Sequence, residues 1–231
     1  MVMAAAIVAV PLILPRAVPS ATAKAPAPLF SLAALLSVAP DLPAVSRRAM
    51  VGEAERIWKR EGVTLHWTAP RGQIPPNAPL RVLVIERREA VPTVDAPAWT
   101  VGELVPHTGQ RALAIASIAG AERVLVQASG RGPAVLAAPE LAQHRLGVVL
   151  GRAVAHEIGH FLLDTATHAD RGLMRAAIDA HEFADPGART FALDDLAGAW
   201  LRNRLARAGN GPLPSTAFTY TGAQTPTSAG R

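Results

Sequence analysis

The sequence predicts an α+β domain over residues 44–208, and three features of it point to that class. Leu80-Arg81-Val82-Leu83-Val84-Ile85 is β-branched and nearly continuous in apolar residues, as a strand buried on both faces is. Val63-Thr64-Leu65-His66-Trp67 alternates, so it reads as a half-covered strand. Beside these strands lie segments with helical periodicity. The longest carries Leu146, Leu150, Val154, Ile158 and Leu162 at every fourth position, a stripe that a core would bury.

From the start, residues 1–23 hold an apolar run of signal-peptide length, Met1 to Pro15, followed by a small-x-small pattern at Ala21-Thr22-Ala23. The run is too short, and too broken by Pro11, for a transmembrane helix. It predicts a signal peptide or apolar leader, and hence a secreted or cell-envelope protein, although no basic residue precedes the apolar core. Residues 24–43 mix Ala, Pro, Ser and Leu and read as a linker, in which Leu29 to Leu36 can pack or form a short helix.

Val45 to Glu61 has apolar residues at three- and four-residue spacing and ends at Gly62, a suitable helix stop. The strands at 63–67 and 80–85 follow, and residues 89–100, with two prolines, read as a loop. Ala112 to Ile118 and Arg123 to Gln127 are expected to be strands of a hairpin around Ala119-Gly120-Ala121-Glu122. Ser129-Gly130-Arg131-Gly132-Pro133 is a turn cluster that lacks the Gly-Lys-Ser/Thr ending of a phosphate loop. The long helix starts between Pro139 and Arg145. Irregular chain is expected over 175–188, with a turn at Asp185-Pro186-Gly187. Phe191 to Ala208 reads as a second amphipathic helix whose apolar side is Phe191, Leu193, Leu196, Trp200, Leu201 and Leu205. Residues 209–231, rich in Gly, Pro, Ser and Thr, read as a disordered tail.

Composition excludes several functions. Half of the 231 residues are apolar, enough for one sizeable core. There is no cysteine, so disulfides, thiolate metal sites and cysteine nucleophiles are ruled out. The net charge of +5 comes from scattered arginines, of which Arg47-Arg48 and Arg87-Arg88 are the densest groups. Basic runs interleaved with aromatics are lacking, so no nucleic-acid partner is expected.

The chemistry concentrates at the end of the long helix, in Ala155-His156-Glu157-Ile158-Gly159-His160-Phe161-Leu162-Leu163. Histidines four apart share a helix face about 6 Å from each other, so both imidazoles can reach one zinc ion. Glu157 is displaced by about 100° around the helix, where it can meet a metal-bound water instead of the metal. Such polar groups on a largely buried helix are costly unless bound or paired.

Catalytic zinc commonly has three protein ligands. Asp164 continues the series but lies about 12 Å along a continuing helix from His156, out of reach of the same ion. His168 can return if the chain turns after Leu163, because Asp-Thr-Ala-Thr is poor helix sequence. His181 and Glu182 are reserve candidates, and His66 reads as an ordinary strand residue.

His-Glu-Ile-Gly-His, a third histidine at 168 and then Gly172-Leu173-Met174 resemble the metzincin superfamily of zinc metalloproteases, most closely matrixin-type domains. The specific match covers about residues 152–175. It implies a zincin fold, in which a twisted mixed sheet backs the active-site helix and a C-terminal helix follows. It also implies Zn2+ on His156, His160 and His168, Glu157 as general base, and Met174 as the methionine of a turn beneath the histidines. In the resembled family an edge strand pairs with extended substrate, a part that falls here to 112–118 or 123–127. One departure is plain. The family has glycine three residues after the second histidine and the third histidine three further on, whereas this chain has Leu163 and Ala166 there.

The activity implied is that of a zinc-dependent endopeptidase, which hydrolyses peptide bonds of a peptide or protein substrate through a metal-activated water, with Glu157 taking the proton. Two other readings stay open. One is a noncatalytic zinc-binding envelope or interaction domain, against which an intact Glu157 argues. The other treats the histidines as structural.

Overall fold

A computed structural model describes residues 30–68, 80–85, 101–107, 111–129 and 138–208. The leader proper (1–23), the loop at 89–100 and the tail at 209–231 lie outside the described residues. The fold is α+β. Five strands, β1 (Phe30–Val38), β2 (Val63–Thr68), β3 (Leu80–Ile85), β4 (Gly102–His107) and β5 (Arg111–Ser117), form one mixed sheet in the order β2-β1-β3-β5-β4. Only β4 runs antiparallel, against β5 at one edge. Five helices accompany the sheet: α1 (Ala44–Arg60), α2 (Ile118–Ser129), α3 (Pro139–Leu163), α4 (Ala180–Ala184) and α5 (Asp195–Ala208).

Register aligns the apolar side chains. Ala34 pairs with Leu80, Leu80 with Ala112, Leu36 with Val82, and Val82 with Ala114, which builds two apolar rows across the sheet, buried apart from the half-covered Leu36. Helix α3 packs on β4, β5 and α1. Its approach to α1 explains two glycines inside a helix. A Cβ on Gly147 would strike the Ser46 carbonyl, and one on Gly151 would lie 2.6 Å from the Met50 carbonyl oxygen. Glycine weakens a helix interior, so these positions exchange local propensity for closer packing. Trp58 closes the contact from α1, its Nε1–H donating to the Ala155 carbonyl at 3.2 Å. By length and composition α3 is apolar enough to cross a membrane, but 83% of its most apolar window is buried inside the domain. It is a core helix.

At the centre of this packing is an ion. Arg152 is fully buried, with its Nε on Glu53 at 2.8 Å and its terminal nitrogens donating to the carbonyls of Glu182, Phe183 and Asp185. The guanidinium also stacks 4.1 Å from the centre of the Phe191 ring. It thereby ties α1, α3, α4 and the chain after α4 to one point.

Several expectations need correction. Residues 30–38, read as linker, form β1 between β2 and β3, so the domain begins at or before Phe30 and not at residue 44. Only Val38 of that segment is β-branched, and pairing on both sides overrides its weak propensity. Strand β3 is not buried on both faces. Leu80, Val82 and Val84 are buried, Arg81 is exposed, and Leu83 and Ile85 are half-covered. The expected strand at 123–127 and its hairpin are instead helix α2, with Ile118, Ala121, Val124 and Leu125 buried at helical spacing. The Ser117 side chain accepts from the Gly120 N–H at 3.1 Å and starts that helix. The last helix begins at Asp195 and not at Phe191, because the Asp194 carboxylate caps the Ala197 N–H at 2.8 Å. That phase buries Leu201 and Leu205 but leaves Leu196 85% and Trp200 46% exposed.

Candidate metal centre

Helix α3 runs unbroken through His156, Glu157 and His160 and stops at Asp164, which adopts the left-handed conformation (φ 53°, ψ 48°). It is the only non-glycine residue with positive φ among the described residues. Asp is one of the few side chains that tolerates this region. The reversal comes one residue after Leu163, where the resembled family has its glycine. Thr165 and Thr167 then bond to each other through their hydroxyls at 2.7 Å, and the Thr167 N–H donates to the Thr165 hydroxyl. This tight loop returns His168 to the helix.

The three imidazoles meet. Ring centres are 4.7 Å apart for His156 and His160, 5.3 Å for His156 and His168, and 4.9 Å for His160 and His168. One nitrogen from each lies within 4.8 Å of the other two. Both helical rings have fixed tautomers. His156 Nδ1 faces the Leu173 carbonyl at 2.8 Å, and His160 Nδ1 faces the Thr165 carbonyl at 2.8 Å. A carbonyl only accepts, so each Nδ1 carries the hydrogen and each Nε2 presents a lone pair.

Those two Nε2 atoms are 3.0 Å apart. Without a shared cation the lone pairs repel. A proton would relieve them, but protonation is disfavoured at both rings. Burial, then the neighbouring His160, brings His156 down to about 4. Burial also lowers His160, against the Thr165 carbonyl that raises it. A divalent ion shared by the three imidazoles would relieve the repulsion as well. Ligands about 2.0–2.1 Å from tetrahedral zinc are separated by about 3.3 Å, close to the spacing of the two helical nitrogens. The donor set of three imidazoles, two with hydrogen-bonded outer nitrogens, fits a metal of that kind.

Glu157 lines a cleft of about 620 Å³ together with His156, His160 and His168, between α3, β4, α2 and the chain from Leu173 to Ala180. It is 5% exposed and packs on Gly102 of the edge strand, where an added Cβ would lie 2.6 Å from its Oε1. Burial, and then the charge of Glu103 beside it on β4, raises its carboxyl to about 8. Met174 is buried under the helix, its sulfur so close to Gly159 that a Cβ there would have to push the methionine aside.

His156, His160 and His168 thus come together, and the reserve candidates do not join them. His181 is exposed, and the Glu182 carboxylate is engaged by Arg175 and Thr190. Asp164 is outside the group, 3.0 Å from Arg204 of α5. His66 is an exposed residue of β2. Residues not foreseen are the carbonyls of Leu173 and Thr165, Gly102, and Glu103. Backbone acceptors have no letter in a sequence, and nothing marked Gly102 apart from other glycines. The strand at the cleft is β4, and neither of the two segments expected there. No protein-family model matches this chain, and no curated protein matches it.

Proposed function

We propose that this protein is a zinc-dependent endopeptidase of metzincin type, with His156, His160 and His168 as metal ligands and Glu157 as general base. The observation that carries this reading is the pair of Nε2 lone pairs 3.0 Å apart, each locked in place by a carbonyl on the far side of its ring. A structural role for the histidines gives no account of that repulsion. Support also comes from a carboxylate beside the ligands that faces the cleft, and from a methionine packed beneath the helix.

Zinc, when bound, supplies a Lewis acid that polarises a scissile carbonyl and makes water more acidic. The protein does the rest. The charge of a bound zinc would oppose the burial and the Glu103 charge that raise Glu157, and so would favour the carboxylate that a base must be. Glu157 then takes a proton from the attacking water and delivers it to the leaving amine. Among the described residues strand β4 is paired on one side only, and its other edge offers main-chain groups to an extended peptide across the cleft. The proposal extends to a secreted or cell-envelope location, on the strength of the leader-like residues 1–23.

Metal analysis of purified protein and a peptide-library assay with a chelator control test this. About one zinc per chain and chelator-sensitive cleavage are expected. Glu157→Gln should keep the zinc and lose turnover by about 10²–10⁴-fold, the range for a positioned general base. Full activity in that variant overturns its role. A zinc-loaded parent with no cleavage at all would leave a binding domain.

A further inference from the structure

We infer that the Asp164–Arg204 ion pair is a positioning device for the metal site, through which α5 holds the turn that orients His160 and returns His168. This rests on the metal-site reading above and adds to it Arg204, a residue far from the ligand set in sequence.

Asp164 Oδ2 and Arg204 Nη1 are 3.0 Å apart, and both side chains are nine-tenths shielded from water. In that setting a pair with good geometry is held firmly, and loss of one member leaves the other buried and uncompensated. Asp164 is also the residue at which α3 reverses, in a conformation that a non-glycine residue adopts at a cost of about 1–2 kcal/mol. Glycine would take it freely, so the carboxylate has a use beyond the turn itself. The next residue supplies that use. The Thr165 carbonyl accepts from His160 Nδ1, and the Thr165 hydroxyl starts the short loop to His168. The ion pair therefore sits one peptide unit from the acceptor that fixes one ligand's tautomer, and four residues from another ligand. Arg204 is held in turn by Trp200 one helical turn earlier, with its guanidinium 5.3 Å from the ring centre. Outer partners of this sort set metal affinity by fixing ligand direction.

The test is zinc affinity by chelator competition, read beside thermal unfolding of the metal-free chain. Arg204→Met and Asp164→Gly should each weaken zinc by about 10–100-fold, and Arg204→Lys should recover part of the loss. Asp164→Gly keeps the turn and removes only the carboxylate, so full affinity in that variant overturns the inference. Leu205→Ala is the control, since Leu205 is buried on the same helix without being a member of the pair. It should lower the unfolding midpoint and leave zinc affinity within about twofold. If Leu205→Ala weakens zinc as much as Arg204→Met does, the effect is loss of α5 packing and the inference fails. A second readout needs no metal. Nitrogen-15 spectra of the metal-free parent should show His160 as the Nδ1–H tautomer, with a mixture in Asp164→Gly. A parent chain that binds no zinc would remove the metal-site reading itself, and is distinguishable from variants that merely match a zinc-binding parent.

Discussion

The two halves of α3 solve opposite problems. From Leu146 to Ala155 every residue is buried, and the half's single ion, Arg152, is satisfied by a carboxylate, three carbonyls and an aromatic ring. From His156 to Asp164 the helix carries two imidazoles whose lone pairs face each other, a carboxyl raised to about 8 by burial and then by Glu103, and a left-handed terminus. The first half is built for stability. The second is built against it. Polar groups can be kept in such an arrangement only where the surrounding packing over-determines their positions. The close α1–α3 contact at Gly147 and Gly151 begins about two turns before His156, and it supplies that constraint.

If the halves divide this way, their variants should fail differently. Arg152→Met should cost about 3–5 kcal/mol of stability, with or without zinc, because it leaves Glu53 buried beside Arg56 alone. Denaturant unfolding of both forms checks it. A loss confined to the zinc-bound form would break the division. His160→Ala should do the reverse. Zinc should weaken by more than about 100-fold, since losing even an outer partner costs 10–100-fold. The metal-free chain should unfold at an unchanged or higher temperature, because the facing lone pairs are gone.

Gly151→Ala probes the dry half with one methyl group. It should destabilise by about 1–3 kcal/mol through the clash with the Met50 carbonyl, leaving zinc stoichiometry intact. Gly102→Ala probes the polar half in the same way. The new methyl would displace the Glu157 carboxylate, so turnover should fall about tenfold or more while zinc affinity holds. Parallel measurement of kcat and zinc content separates these outcomes.

The last contrast is in pH. Burial depresses His156 from 6.5 to about 4, so the unfolded metal-free chain takes that proton first, and stability falls as pH drops through this window. Burial and Glu103 raise Glu157 from 4.5 to about 8, so its contribution is full below 4.5 and is lost as pH rises through 8. Metal-free Glu157→Gln should therefore lose the decline between pH 6.5 and 8 that the parent shows. An identical alkaline limb in both would place the destabilisation outside this half of α3.

How much of this was legible depended on whether the cause was local. The spacing of His156 and His160 makes them neighbours on any helix, and the apolar repeat from Leu146 to Leu162 required a helix there. His168 followed from a stretch too poor in helix formers to continue. Strand β1 and helix α2 were misread because their letters are ambiguous without neighbours. Phe30 to Val38 becomes a strand by pairing on two sides, and Ile118 to Ser129 a helix by burying one face. Arg152 stood in plain view as one cation in an apolar run four residues before His156, but its partners lie 99 residues before it and 30–33 after it.

By itself, then, the sequence determined which residues could share an ion and where the main helix had to lie, since both follow from the fixed geometry of a helix and the chemistry of imidazole. Only the tertiary structure decided which nitrogen each imidazole turns toward its neighbour, because the carbonyls of Leu173 and Thr165 make that choice. It also decided that Asp164 answers to Arg204, and that Glu157 lies against Gly102 of an edge strand. Those contacts join segments distant in the chain, and their strength comes from exclusion of water, which no local pattern of residues encodes.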